Sequence, residues 1–161
     1  MRPSRRTSPQ PAADDLGQGE VSSGQPAWVS RFTFPATSVS VPAARHRVEG
    51  LGMQAGLRGN ALFELVLAVG EGLSNAVKHG SPHGERDTVT VAVSCYRDAL
   101  SVEIADQGPG LLCSPLHQPG ASSAEGRGIN VMRQLTDDIG FECDGGTHVL
   151  LVKLIPKLRA R

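Results

Sequence analysis

A carboxylate and a carboxamide four residues apart are the first side chains of this sequence whose types and spacing suit chemistry. Glu71 and Asn75 lie in a segment with helical periodicity, and this spacing places both on one face of a helix. An amide oxygen can ligate Mg²⁺, and a carboxylate can accept the proton of an attacking hydroxyl, so the pair suits phosphoryl transfer. Taken alone, the pair also fits an ordinary solvated polar face.

A glycine-rich segment downstream suits binding. Asp106-Gln-Gly-Pro-Gly110 ends a predicted strand. Gly108 and Gly110 allow the backbone to pass close to a flat ring, and Asp106 can accept a hydrogen bond from an exocyclic amine such as that of adenine. The same residues are also typical of a plain turn.

A second pair of glycines suits an anion. Gly126 and Gly128 precede a predicted helix, whose N-terminal amides form a site for phosphate. Arg127 and Lys78 are cations that could neutralise phosphate, and Thr147, at a strand start, could hydrogen-bond a ligand. Each has a plain alternative as a loop end, a surface charge or a residue that favours β structure.

The helix that must carry Glu71 and Asn75 is the clearest element of the sequence. It is predicted from Ala61 to His79 and ends at a Gly-Ser-Pro stop. Its apolar stripe at helical spacing consists of Leu62, Val66, Val69, Leu73 and Val77. Glu71 and Asn75 lie off this stripe. The glycines on either side of Glu71 are better explained by close packing than by a ligand.

The remaining elements alternate between strands and helices. The predicted strands are 31–34, 88–96, 100–104, 139–143 and 147–154, the further helices are 39–52 and one from 126–128 to about 136, and a loop without periodicity covers 111–125. Strands 88–96 and 100–104 form a hairpin. The pattern predicts an α+β fold, a two-layer α/β sandwich with a mixed, mostly antiparallel sheet and helices on one face.

Composition limits the classes of function. The 161 residues suffice for one domain, which we expect at 28–156, between a disordered tail at 1–27 and a short tail at 157–161. A formal net charge of +0 gives no electrostatic footprint for direct nucleic-acid or membrane binding. No apolar run approaches membrane-spanning length, and no apolar signal region follows the first residues, so we expect a cytoplasmic protein.

Taken together and in order, these motifs resemble those of the GHKL ATPases, the superfamily of gyrase, heat-shock chaperone ATPases and histidine kinases. The segment 71–80 resembles the N box, 106–110 the G1 box, 126–128 the G2 box, and Gly146-Thr147 the final GT element. The resemblance covers about residues 31–155 and implies a Bergerat-type ATP-binding fold. Within the superfamily, the compact N box and the helix carrying Ala44-Arg45 are most similar to the anti-sigma-factor serine/threonine kinases.

The resemblance implies roles on the reactive side of the site. Asn75 would hold Mg²⁺, Glu71 would be the general base for a serine or threonine hydroxyl on a partner, and Lys78 would contact phosphate. The implied partners are a sigma factor and a STAS-type anti-sigma factor antagonist. Homodimers are common in this group.

The resemblance also implies roles around the nucleotide. Asp106 would bind the adenine amine together with Thr147, and Gly108 and Gly110 would shape the adenine floor. The segment 126–128, with Arg127, would line the ATP phosphates beneath a lid formed by the loop.

Three functions remain open at this point. The first is a Mg·ATP-dependent serine/threonine kinase that is also an anti-sigma factor and thereby regulates transcription. The second is a nucleotide-dependent protein-binding module without phosphotransfer. The third is a detached histidine-kinase catalytic domain. All three predict ATP binding.

Overall fold

The computed structural model describes residues 24–109 and 124–157, and every structural statement below concerns those residues. Its elements are β1 (Trp28–Pro35), α1 (Ser40–Ala55), α2 (Gly59–Lys78), a 3₁₀ turn (Gly84–Arg86), β2 (Thr88–Cys95), β3 (Ala99–Ala105), α3 (Ala124–Leu135), β4 (Asp138–Glu142) and β5 (His148–Leu154). Gly110, most of the predicted loop and nearly all of both predicted tails lie outside the described residues.

The five strands form one open sheet in the order β1-β2-β3-β5-β4. The predicted hairpin is confirmed, because β2 and β3 are antiparallel neighbours with Val93 opposite Val102. All four pairings between the described strands are antiparallel, so the sheet is simpler than the mixed sheet that the sequence suggested. The α+β fold class is confirmed.

The three helices pack on one face of this sheet. Alternate residues of β2, from Val89 to Cys95, are buried there, and they join α1, α2 and α3 in a single apolar core. α2 lies in the middle, because it contacts both other helices and three strands. None of the described helices has both the length and the apolarity to cross a membrane.

The central position of α2 changes which of its residues are buried. Its fully buried apolar residues are Leu65, Ala68, Val69 and Leu73, whereas Leu62, Val66 and Val77 of the predicted stripe are only partly buried. Packing on several sides widens the buried arc beyond one narrow stripe. The wider arc reaches Asn75, which lies off the predicted stripe but is only 7% exposed, so the alternative of a solvated polar face does not hold for Asn75.

Helix ends differ slightly from the predictions. α1 is predicted at 39–52 and is found at Ser40–Ala55, and the Thr37 hydroxyl bonds the Ser40 hydroxyl at 2.8 Å before its first turn. Gly56 ends α1 with a φ of 102°, a left-handed conformation that glycine tolerates.

α3 begins earlier than predicted. It starts at Ala124, so Gly126 and Gly128 lie inside its first turns and do not precede it. The reason is local, because alanine and glutamate at 124 and 125 are good helix formers, whereas the glycines after them are poor ones.

Candidate functional site

One half of the candidate site is built around Asp106, at the end of β3. Its Oδ1 atom accepts the backbone N–H groups of Gly108 and Thr147, both at 3.0 Å. The Asp106 backbone N–H donates in turn to the Thr147 carbonyl at 3.0 Å. Asp106 and Thr147 are 7% and 2% exposed, so these bonds hold the two motifs together away from water.

Glycines make room for the Asp106 carboxylate. A Cβ atom on Gly80 would overlap Asp106 Oδ2, and one on Gly108 would lie 2.5 Å from the Gly80 carbonyl oxygen. Gly146 has a φ of 147°, and a Cβ atom there would overlap the Asp106 carbonyl oxygen. Sequence reasoning missed Gly80 as a site residue, because it assigned this glycine to the helix stop and to the N box without a role of its own. Its place at the end of the N box was the available signal.

The second carboxylate oxygen of Asp106, Oδ2, does not take part in these bonds. Within the described part of the chain, no donor hydrogen-bonds Oδ2, although this carboxylate lies among buried residues. Oδ2 is not one of the fully buried side-chain atoms without a partner, so it keeps accessible surface through which a ligand can reach it. The position therefore offers an oriented acceptor to a bound group.

The other half of the site lies where α3 crosses α2. A Cβ atom on Gly128 would lie 3.2 Å from Glu71 Oε2 and 3.3 Å from Asn75 Nδ2. Gly128 is buried and Glu71 is exposed. The structure thus brings the predicted carboxylate, carboxamide and G2 glycine together, with almost no space for a side chain at position 128.

Asn75 carries an unpaired buried group. Its Nδ2 atom is fully buried and has no hydrogen-bond partner among the described residues. Leaving such a donor unsatisfied costs about 1–3 kcal/mol. The carboxamide offers both a donor and an acceptor, so it could bind a phosphate oxygen, a cation or both.

The glycines on either side of Glu71 serve packing, as the sequence indicated. A Cβ atom on Gly72 would lie 2.7 Å from Ile104 Cδ1 and 3.6 Å from Met132 Sδ. One on Gly70 would lie 3.4 Å from Arg45 Cδ. Gly72 therefore lets α2 approach both β3 and α3.

The two halves are joined by the last turn of α2. The Gly80 N–H bonds the Asn75 carbonyl at 3.3 Å and the Ala76 carbonyl at 3.1 Å, so Asn75 and the glycine beneath Asp106 belong to one continuous turn. Lys78 and Arg127 are both exposed, and neither contacts these clusters through a described hydrogen bond or ion pair. Gly126 is buried near the start of α3, and Gly110 lies outside the described residues.

Known proteins resemble this chain in sequence. The sequence model of one protein family, the histidine kinase-like ATPase domain, matches residues 34–153 of this chain. The serine-protein kinase RsbW of Listeria innocua is 29% identical over 132 residues, which cover 76% of this chain and 84% of the relative. The serine-protein kinase RsbW of Bacillus licheniformis is 27% identical over 135 residues, which cover 78% and 84%.

A solved structure resembles the fold. The crystal structure of the RsbU and RsbW domains of Rv1364c from Mycobacterium tuberculosis superimposes with a TM-score of 0.61 and 19% identity. The match covers 80% of this chain and 32% of that longer one. The family match spans both halves of the site, from α2 through Thr147. The chain belongs to the family of the histidine kinase-like ATPase domain.

Proposed function

We propose that this chain is an ATP-dependent protein serine/threonine kinase that phosphorylates an anti-sigma factor antagonist and is itself an anti-sigma factor. The observation that supports the proposal is the close approach of Gly128 to Glu71 and Asn75, which would bring the proposed base next to the proposed phosphate site. The RsbW relatives, named serine-protein kinases, support the choice of acceptor.

The Asp106 half would bind adenine. The Oδ2 atom accepts the exocyclic amine, while Oδ1 is held by Gly108 and Thr147 and fixes the direction of the carboxylate. Gly108 leaves a flat floor beside the base, and Gly110 would continue it. A hydrogen bond to a buried, oriented carboxylate distinguishes adenine from a base with a carbonyl at that position.

The Asn75 half would bind the phosphates. The unpaired buried Nδ2 atom of Asn75 would donate to a phosphate oxygen. The oxygen of the same carboxamide would hold Mg²⁺, since Mg²⁺ takes oxygen ligands and usually binds through one or two protein groups and the substrate phosphates. When bound, the ion would neutralise phosphate charge. Gly126 and Gly128 let the phosphates approach the first turn of α3. Arg127 and Lys78 are exposed cations that would add positive charge at the rim.

Glu71 would act as the general base. It is exposed, so a hydroxyl on a partner protein can reach it. The Glu71 carboxylate accepts the hydroxyl proton while the serine or threonine oxygen bonds to the γ-phosphorus and the bond to ADP breaks. Catalysis then depends mainly on how α2 and α3 orient the two reactants.

The partners proposed for this cytoplasmic kinase are a sigma factor and a STAS-type antagonist. The catalytic domain would extend over residues 28–156, and a homodimer would present two such sites. Competition between the two partners for one kinase would couple phosphorylation to transcription.

A phosphotransfer assay tests the proposal. Purified chain is incubated with ATP labelled at the γ-phosphate, Mg²⁺ and a panel of STAS-domain proteins, and the product is treated with acid. We expect acid-stable label on one antagonist, as phosphoserine or phosphothreonine requires. Acid-labile label would instead indicate a detached histidine-kinase domain, and ATP binding without any transfer would indicate a protein-binding module.

A further inference from the structure

A buried lysine side chain forms hydrogen bonds with both α2 and α3. It does so at the ends of these helices that lie farthest from Asn75 and Gly128. Lys153, on β5, is 7% exposed. Its Nζ atom donates to Glu64 Oε2 at 2.6 Å and to the Leu135 carbonyl at 3.0 Å. Glu64 lies near the start of α2, and Leu135 is the last residue of α3. One ammonium group therefore joins both helices to the sheet.

The segment after α3 is held at the same place. Asp137 Oδ2 lies 3.8 Å from Lys153 Nζ and accepts the Leu154 backbone N–H at 2.7 Å. The Asp137 backbone N–H donates to the Val152 carbonyl at 2.9 Å. The exit of α3 is thus bonded to β5 on both sides of Lys153.

These contacts define how α3 lies on α2. Gly128 faces Asn75 at one end, and Met132 faces Gly72 in the middle. The lysine joins the remaining ends, so the two helices run antiparallel. At 1.5 Å rise per residue, Gly128 lies about 10 Å along α3 from Leu135, whose carbonyl binds the lysine.

The bond from Lys153 to α3 is favourable only at the C-terminal end of that helix. A cation at the C-terminus of α3 satisfies a carbonyl that has no partner within the helix and complements the negative end of the helix dipole. A buried ammonium also needs its partners, because an unpaired charge in this place is strongly unfavourable. An apolar side chain at position 153 could fill the space, but it could not specify which carbonyl and which carboxylate meet there.

We infer that Lys153 is a positioning residue for the nucleotide site. It fixes the position of α3 on α2 and thereby the gap between Gly128, Glu71 and Asn75, although it lies at the opposite ends of these helices. The inference rests on the proposed function, because it assigns that gap to the phosphates. Small displacements of a site by remote changes can lower its performance by large factors.

Lys153→Met tests the inference, with Val48→Ala as a control for lost stability. Val48 is fully buried on α1, which carries none of the candidate site residues. Mg·ATP affinity is measured by calorimetry, and amide hydrogen exchange is measured over residues 124–135, both at a temperature where the variants are folded. We expect Lys153→Met to weaken binding by about tenfold or more and to accelerate exchange in α3. Val48→Ala should lower the Tm and keep the wild-type affinity.

Two outcomes would overturn the inference. One is wild-type affinity in folded Lys153→Met, and the other is an equal loss of affinity in Val48→Ala, since the loss would then follow stability. If Lys153→Met does not fold, Glu64→Gln is measured instead. This change keeps an acceptor for Lys153 Nζ and removes only the negative charge of residue 64, and we expect about a threefold loss of ATP affinity.

If the wild type binds no ATP, the proposed function fails. The exchange measurement then still decides whether Lys153 holds α3, because unchanged exchange would overturn the positioning role.

Discussion

The Oδ1 atom of Asp106 accepts the backbone N–H of Thr147 at 3.0 Å, across 41 positions of sequence. The reciprocal bond from the Asp106 N–H to the Thr147 carbonyl closes a two-bond link between the end of β3 and the residue before β5. Because this link uses only one carboxylate oxygen, the other remains for a ligand. The same residue therefore serves the fold through Oδ1 and, in our proposal, adenine through Oδ2.

Asp106→Asn separates these two roles. The asparagine oxygen can keep the bonds from Gly108 and Thr147, whereas its NH₂ group would face the adenine amine donor to donor. We expect ATP affinity to fall by about 10- to 100-fold, as for loss of a hydrogen bond to a charged group, with little change in Tm. Calorimetric titration and thermal unfolding measure both effects. Asp138→Asn is the matched control, because exposed Asp138 also accepts a nearby backbone N–H, from Ile139, at 2.8 Å. An Asp106→Asn protein with wild-type affinity would contradict the adenine role.

Gly128→Ala is expected to reduce nucleotide binding without a large loss of stability. The new Cβ atom would lie 3.2 Å from Glu71 Oε2 and 3.3 Å from Asn75 Nδ2, so it would occupy the space assigned to phosphate. Alanine gains about 1 kcal/mol of helix propensity, which offsets the crowding. Gly50→Ala in α1 is the control, since nothing lies within 4 Å of its Cβ position. It should raise the Tm and leave binding unchanged. Equal ATP affinity in both variants would show that this gap is not the phosphate site.

Glu71→Gln is expected to retain ATP binding and lose phosphotransfer. The glutamine has nearly the same shape but cannot accept the hydroxyl proton, and general bases contribute about 10²- to 10⁴-fold to rate. The rate of label transfer to the antagonist and the ATP affinity are measured on the same preparation. Glu142→Gln, an exposed residue of β4, is the control. Transfer at the wild-type rate by Glu71→Gln would exclude Glu71 as the base.

The lowered pKa of Asp87 predicts that the stability of the protein depends on pH. The His83 backbone N–H donates to Asp87 Oδ2 at 2.8 Å and lowers the pKa of that carboxyl, assisted by the His83 ring and the charge of Arg86, while burial opposes the shift. A lowered folded-state pKa stabilises the protein above the ordinary carboxyl pKa of about 3.9. That stabilisation is lost as the pH falls through the lowered value.

Asp87→Asn should therefore be less stable than the wild type at pH 7. The difference should begin to shrink as the pH falls below about 4, where the carboxyl of the unfolded chain becomes protonated, and should continue to shrink down to the lowered pKa of the folded state. Denaturant unfolding of both proteins between pH 3 and pH 7 measures the difference. A difference that stays constant to pH 3 would show that the charge of Asp87 does not stabilise the fold.

The order of elements and the motifs could be predicted from sequence because both depend on local patterns. Strict alternation in β2 and β3 indicated a hairpin, and the Gly-Ser-Pro stop after α2 was typical of a helix end. The start of α3 was misplaced by two residues, because its glycines were weighed more heavily than the helix formers before them.

Relationships between distant segments could not be predicted in this way. The burial of Asn75 depends on α3 and β3 approaching α2 through Gly72 and Gly128, and each of these glycines is ambiguous by itself. The packing of Gly80 against Asp106 and the bonds from Lys153 to Glu64 and Leu135 likewise join residues far apart in sequence. No periodicity encodes such pairs.

The measurement that tests the central claim most directly is the thermal unfolding of the wild type and Asn75→Ala, each with ATP and with either Mg²⁺ or EDTA. Among the residues that the structure describes, Asn75 has a buried side-chain nitrogen without a partner, so its truncation should be tolerated in the ligand-free protein and should abolish nucleotide binding. For the wild type, Mg·ATP at 100 times its Kd should add about 2.7 kcal/mol, a rise in Tm of roughly 5–10 °C. We predict that EDTA removes most of this rise and that Asn75→Ala shows none. A wild type whose Tm does not change with Mg·ATP, or an Asn75→Ala variant that shifts as far as the wild type, would contradict the account.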